Sequence, residues 1–210
     1  MPAGRFTSAI ESALGDLGQV FPEDAAGKFA TLLDELDRWN ERVNLTAIRD
    51  PDEMITGHLL DSLVVRPYLK GNRILDVGTG AGFPGLPLAI AEPGRSFELV
   101  DSNNRKIMFV QHVAALLGLG NVTAVKARTE DYAPAGRFDT VIARAVAALP
   151  RLIDIAGHLV GEGGVFVALK GRYPADELEQ LPDTWGSNVT ELKVPGLEAG
   201  SRHAVLIEHK

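Results

Sequence analysis

The chain has no cysteine among its 210 residues. That removes disulfides, thiolate metal sites and cysteine nucleophiles, and it suits a reducing compartment. No apolar run approaches the roughly 20 residues that span a bilayer, although 45% of the residues are hydrophobic. The opening Met-Pro-Ala-Gly-Arg-Phe-Thr-Ser lacks the basic and apolar regions of a secretory signal. A soluble, cytoplasmic monomer with no membrane partner is therefore expected. Histidine, aspartate and glutamate nowhere cluster at metal-ligand spacing, so no metal is expected. Repeats and low-complexity tracts are missing too. A single domain with a short appendage accounts for the length.

Positive charge is also in short supply, with a net charge of −7. Residues 1–100 hold nine basic and fifteen acidic side chains, and residues 173–210 hold three and seven. Only the stretch 101–172, with nine basic and six acidic, carries an excess of +3. A solvated face explains so small an excess as well as RNA binding does.

What is present is concentrated between residues 74 and 101. Ile-Leu-Asp-Val-Gly-Thr-Gly-Ala-Gly-Phe-Pro-Gly occupies 74–85, and Asp101 closes the next apolar run. A strand ends at the carboxylate Asp76, Gly78, Gly80 and Gly82 alternate behind it, and Pro84 stands where a helix begins. Strand, glycine turn, helix and a second strand ending in an acid form a nucleoside-binding half-fold. Two ligands compete for it. Gly80, Gly82 and Gly85 supply the G-x-G-x-x-G spacing of a dinucleotide site, with Asp101 placed for ribose hydroxyls in either case. Asp76 favours S-adenosylmethionine, because a carboxylate repels a pyrophosphate and suits an ammonium and a sulfonium. Asp76 is expected to meet the ligand or support the loop, with capping of the glycine turn as its plainer role, as capping a helix near Asn103 is for Asp101.

Along the rest of the chain, apolar residues recur at three and four from 27 to 45, including Trp39, and predict an amphipathic helix. Asp34, Glu35 and Asp37 mark its solvated face. A shorter helix is expected near 7–17, capped by Thr7 or Ser8. A third runs from the Asp50-Pro51 start to about Tyr68. Strands are expected at 73–77, 97–101, 121–126, 138–143 and 164–169, with helices at 84–91, 103–118 and 149–159. A β-hairpin follows, made of Asn188–Val194 and His203–Glu208, with Pro195-Gly196 and Ala199-Gly200-Ser201 between them. The alternation predicts an α/β fold: a mostly parallel sheet with helices on both faces. Ligands of such sheets lie beyond the carboxyl ends of the strands. That edge collects Gly78 to Phe83, Asp101, Arg128, Thr129, Glu130, Arg144 and Lys170. Arg144 faces the site or pairs with a carboxylate, and Lys170 with Arg172 meets RNA phosphates or solvent. His58 is expected to be a structural histidine rather than a base.

Trp39-Asn40-Glu41-Arg42-Val43-Asn44-Leu45-Thr46, His58-Leu59-Leu60-Asp61-Ser62-Leu63, the run from Leu75 to Leu88, and Arg144-Ala145 occur in this order. From about residue 30 to 172 the chain resembles the RsmG (GidB) family of bacterial 16S ribosomal RNA guanine-N7 methyltransferases. The resemblance implies a class I, Rossmann-like S-adenosylmethionine-dependent methyltransferase domain at 71–210 behind a helical N-terminal extension at 1–70. It implies methyl transfer to N7 of guanine 527 in 16S rRNA or the small ribosomal subunit. Family cofactor contacts fall on Gly78, Phe83, Thr129, Glu130 and Arg144, and Gly80, Gly82 and Asp101 join them by position. Phe83 departs from relatives that carry leucine there, which matters little for a main-chain contact. No catalytic base is expected, and Arg144 and Lys170 are candidates for positioning the substrate.

Overall fold

The computed structural model describes residues 6–197 and 201–210, and these form one seven-stranded sheet. Runs of β-branched and leucine side chains, closed by glycine, asparagine or charged residues, become strands. They are β1 (Arg73–Val77), β2 (Ser96–Asp101), β3 (Val122–Lys126), β4 (Phe138–Arg144), β5 (Val160–Lys170), β6 (Trp185–Leu192) and β7 (Arg202–His209). The order is β3-β2-β1-β4-β5-β7-β6. Strands β1 to β5 are parallel, β7 is antiparallel to β5, and β6 pairs antiparallel with β7 as the expected hairpin. Strand order reverses between β1 and β4, and a crevice opens at such a point. Of the expected hairpin loop, Ala199 and Gly200 lie outside the described residues.

Successive residues of a strand point to opposite faces, and here both faces are covered. Ile74, Leu99, Ile142, Val165 and Val167 join the core on one side, with Phe29, Leu32, Leu33 and Leu36 of helix α2 (Ala25–Val43). Leu75, Val77, Val141, Phe166 and Ala168 face the other side, against Leu149, Leu152 and Ile153 of a later helix. Each such fully buried side chain contributes about 1.5–3 kcal/mol by leaving water. The remaining helices are α1 (Thr7–Asp16), α3 (Pro51–Met54), α4 (Asp61–Leu63), α5 (Gly85–Ala91), α6 (Asn104–Leu116), α7 (Leu149–Ala156) and α8 (Ala175–Leu178).

Three local expectations are corrected. Helix α1 is not capped by a hydroxyl: Phe6 is its N-cap, and Thr7 and Ser8 lie inside the helix. Burial of Phe6 and Ile10 sets that start. The segment from Asp50 to Tyr68 is not one helix. Asp50 caps α3 as expected, accepting from the Asp52 and Glu53 amides, and a π-helical stretch (Ile55–Leu60) then leads into α4. The α register stops at Leu63, before a separate 3-10 turn of Arg66–Tyr68, because Pro67 supplies no N–H and disfavours helix before it. Glu35 is not solvated. It accepts from Arg38 Nη2 at 2.6 Å and bonds His112 Nε2 of α6 at 2.7 Å, and Trp39 packs edge-on against Phe109 of α6.

Asn44 ends α2 in the left-handed region (φ 51°), as a helix C-terminus often requires. Asn40 then ties the following chain back, donating to the Thr46 carbonyl and accepting from the Thr46 N–H at 3.0 Å each. That pair carries Leu45–Ile48 over the crevice. On the opposite wall, Gly85 lets α5 descend onto the sheet, since a Cβ there meets Asp76 Oδ2 and Leu99 Cγ at 2.7 Å. Gly85→Ala should destabilise the fold by about 1–3 kcal/mol through this overpacking. Urea unfolding checks it, with a lower midpoint and unchanged slope expected; an unmoved midpoint would show that α5 shifts freely.

Candidate functional site

The loop after β1 is built around one buried carboxylate. Asp76 is 1% exposed. Its Oδ2 accepts from Thr79 Oγ1 at 2.6 Å and from the Gly85 N–H at 2.9 Å, joining the strand end, the loop and the first residue of α5. Oδ1 is buried without a hydrogen-bond partner among the described residues. Burial therefore pushes the carboxyl up to about 7, against the lowering effect of the Thr79 and Gly85 bonds and of Arg144. Asp76 supports the loop; it does not line the crevice, and the argument for a sulfonium ligand cannot rest on it.

Above this anchor Gly80 has φ +62°, and a Cβ built there meets only the Gly78 carbonyl, at 3.9 Å. Its backbone is thus exposed to the crevice. The Gly80 N–H is fixed from the neighbouring strand by Asp101 Oδ2 at 3.0 Å, while Asp101 Oδ1 accepts from Asn103 N–H at 2.8 Å. The cap of α6 is Asn103 itself, whose side chain accepts from Arg105 N–H. Gly82 serves packing instead, since a Cβ there meets Leu86 Cδ1 at 2.3 Å.

A cavity of about 550 Å³ opens beyond the ends of β1, β4 and β5, with its other wall made by Leu45, Thr46, Ile48, Gly57, His58 and Asp61. Of the expected residues, Gly78, Gly80, Phe83, Arg144 and Lys170 line it. Asp101 acts on it through Gly80. Thr129 and Glu130 follow β3 in a short 3-10 turn, Thr129 buried and Glu130 exposed, outside the cavity lining. Lys170 donates to the Ala147 carbonyl at 2.9 Å and pairs with Glu177 at 2.7 Å, so its ammonium is committed within the fold. Arg172 is exposed on the adjoining surface.

Two lining residues escape the edge rule. Asp61 lies on the helical wall, three residues after His58 and so on the same helix face. Arg202 opens β7, and because that strand is antiparallel its first residue, rather than its last, lies at the crevice.

His58 is buried in this wall. Its ring stacks on Phe83 at 4.8 Å between centroids, and the Arg144 guanidinium lies 5.7 Å from the same Phe83 ring. Nε2 bonds Thr46 Oγ1 at 2.8 Å, and Arg144 Nη2 is 3.4 Å from Nδ1. A guanidinium only donates, so Nδ1 is the acceptor and Nε2 carries the proton. The imidazole's lone pair is thus turned toward Arg144 rather than into the cavity. Burial, and then the Arg144 charge, lower the His58 pKa to about 4. It is a neutral structural histidine.

The two shifts make opposite contributions to stability. Folded Asp76 keeps its proton to about pH 7, whereas an unfolded aspartate releases it near 3.8, so its stabilisation is lost as pH rises through that window. Folded His58 takes a proton only near pH 4, whereas the unfolded residue takes one near 6.5, so its stabilisation is lost as pH falls. Asp76→Asn should therefore give a melting temperature that climbs with pH from about 4 to 7, and His58→Gln one that declines, relative to the parent chain. Thermal melts across that range check both signs, and parallel curves for all three proteins would contradict them.

The fold is shared with solved methyltransferases. TrmN from Thermus thermophilus superposes with a TM-score of 0.55 at 19% identity, over 71% of this chain and 48% of that one. A methyltransferase from Thiobacillus denitrificans, solved with S-adenosyl-L-homocysteine, gives 0.53 at 12% identity, over 72% and 90%. These place the fold among class I, Rossmann-like methyltransferases. Sequence comparison is more specific. A ribosomal RNA small subunit methyltransferase G from Idiomarina loihiensis is 52% identical over 176 residues, covering 83% of this chain and 85% of its own length. One from Aeromonas salmonicida is 47% identical over 205 residues, covering 95% and 96%. The family model described as rRNA small subunit methyltransferase G matches residues 25–205. The chain belongs to the rRNA small subunit methyltransferase G (GidB) family.

Proposed function

We propose that this chain transfers the methyl group of S-adenosylmethionine to N7 of guanine 527 in 16S rRNA. Family membership supports an S-adenosylmethionine-dependent methyltransferase of small-subunit rRNA. The choice of acceptor atom rests chiefly on one observation: among the described residues, no group on the cavity wall is arranged to take a proton. His58 turns its lone pair to Arg144, Asp61 is held by two guanidiniums, and the Asp76 carboxyl lies beneath the loop. Guanine N7 needs no such group, because its lone pair is already free.

S-adenosylmethionine supplies the methyl group. The N7–carbon bond forms as the sulfur–carbon bond breaks, and the electron pair of the latter stays on sulfur. One positive charge moves from sulfur to the purine and none is created. The protein's work is then alignment and exclusion of water. The exposed Gly80 backbone fits close approach of the cofactor, and Gly78 and Phe83 extend that floor. Asp101, which holds Gly80, is assigned to the ribose hydroxyls, and Gly82 shapes the turn. Thr129 and Glu130 are assigned to the adenine, whose amino group needs an acceptor. Arg144, on the wall with His58 and Phe83, is assigned to both ligands, whereas the committed Lys170 stiffens the turn through Ala147. In domain terms, residues 71–210 bind the cofactor, and the helical extension 1–70 closes the acceptor side. The acceptor enters as an unstacked loop base, the form in which RNA is commonly read.

Incubating the protein with labelled S-adenosylmethionine and unmodified small subunits tests this. Label should appear as 7-methylguanosine at one position, and label on an exocyclic amine would overturn the acceptor. In Asp76→Asn, which removes the loop carboxyl that titrates near 7, the single-turnover rate should stay nearly level from roughly pH 6.5 to 8.5, since no proton acceptor takes part in the transfer. Gly80→Val should abolish cofactor binding by calorimetry, because a β-branched side chain is strained at that φ and enters the cavity.

A further inference from the structure

Four cations line the cavity: Lys106, Arg144, Lys170 and Arg202. Lys106 lies 3.7 Å from Asp101, and Lys170 lies 2.7 Å from Glu177, so each has its own carboxylate. Arg144 and Arg202 share one. Asp61 Oδ2 accepts from Arg144 Nη1 at 3.0 Å, and Asp61 Oδ1 accepts from Arg202 Nε at 2.8 Å. Asp61 is buried, and among the described residues it is the only carboxylate lining the cavity. It joins three elements far apart in the chain: α4, the end of β4 and the start of β7.

The electrostatics follow from this stoichiometry. Two guanidiniums held together repel one another, and one carboxylate between them cancels half of the charge. Among the described residues a surplus of one positive charge is left on this wall. The two arginines are not equally occupied. Arg144 also donates to the Gly57 carbonyl at 2.9 Å and approaches His58. Arg202 donates from Nη1 to the Ser201 carbonyl, and its Nη2 bonds no described residue. Beside it, Gly171 keeps the cavity mouth clear: a Cβ built there meets only Arg202 Nη1, at 3.8 Å.

We propose that Asp61 is a positioning residue that aims Arg202, with Arg144 behind it, at one phosphate of the RNA strand next to the acceptor base. This rests on the rRNA methyl-transfer function proposed above. A phosphodiester carries one negative charge, matching the surplus, and its oxygens match the fork of a guanidinium. Phosphate contacts of this kind set the register of a strand without reading its sequence. The chain thereby gains a local anchor for RNA despite its overall charge of −7.

Arg202→Ala, Asp61→Asn and the double variant, assayed on unmodified small subunits, decide the matter. In each single variant KM for the subunit should rise roughly tenfold to a hundredfold, as for loss of a charged hydrogen bond. The cofactor dissociation constant should be unchanged, and kcat should move less than KM. Arg202→Ala should also flatten the dependence of binding on log salt by about one unit. The double variant should be no worse than Arg202→Ala, because Asp61 acts through that arginine. A merely structural pair would lower the melting temperature and leave the salt slope alone. Should Asp61→Asn fail to fold, Arg202→Ala still decides, since Asp61 then keeps Arg144. An unchanged KM in Arg202→Ala overturns the inference, and so do effects that multiply. Weakened cofactor binding with unchanged KM would assign the oxyanion to the cofactor's carboxylate instead. If the parent protein methylates subunits while Arg202→Ala keeps its KM, this inference alone fails; if the parent does not methylate them, both fail.

Discussion

The site depends on a buried carboxyl group that lies beneath its loop rather than on the cavity wall. Asp76 Oδ2 receives Thr79 Oγ1 and the Gly85 N–H, and so sets where the strand stops, how the loop rises and where α5 begins. Burying an isolated charge is costly, and a carboxyl in that position moves toward its neutral form. The rise of Asp76 to about 7 is that response. In return the loop gains a fixed base. Gly80 then presents its backbone to the crevice, held from the side by Asp101. A floor of main chain rather than side chain lets a flat, polar ligand approach closely, and its rigidity owes more to these carboxylates than to the glycines. The glycines permit the path; the acids choose it.

The sequence carried most of this in patterns that depend on local chemistry. Strand ends, the glycine spacing and the Asp50-Pro51 helix start were all legible, because each reflects a backbone rule that operates within a few residues. The edge rule likewise gathers Gly78, Gly80, Phe83 and Arg144 at one crevice. It failed in informative places. It assumes parallel strands, and β7 runs the other way, so Arg202 at its start was missed. It also overlooks walls made by helices, so Asp61 was seen only as part of a motif. For Asp76 the sequence leaves ligand contact and loop support open, because it shows that a carboxylate ends a strand but not which way it points; the bonds to Thr79 and Gly85 are those of loop support. Glu35 looked solvated for the same reason: its partner His112 lies 77 positions away. Long-range pairing is where local patterns stop.

The acidic balance of the chain is less paradoxical once charges are located. Nucleic-acid affinity depends on cations that are free to meet phosphates, not on the net total. Of the cavity's cations, those on Lys106 and Lys170 are already answered within the fold. Counting basic residues from 101 to 172 therefore overstated the available charge in one place. Leaving out Arg202, which lies beyond that stretch, understated it in another.

The helical segment before β1 is as much part of the site as the sheet. Asn40 fixes Thr46, Thr46 bonds His58, His58 lies against Arg144, and Arg144 reaches back to Gly57 and Asp61. Every link joins the helical wall to itself or to the end of β4, so the two sides of the crevice are held in register by a closed chain of polar contacts. Reactions that rely on alignment need this more than reactions driven by a strong base. In the methyl transfer proposed above, a misplacement of the acceptor by an ångström would cost rate directly, since no proton transfer shares the barrier. A neutral His58 suits that requirement. An imidazolium at the same position would set a second positive charge against Arg144 and strain that wall. Burial keeps the ring uncharged, and the uncharged ring keeps the wall closed.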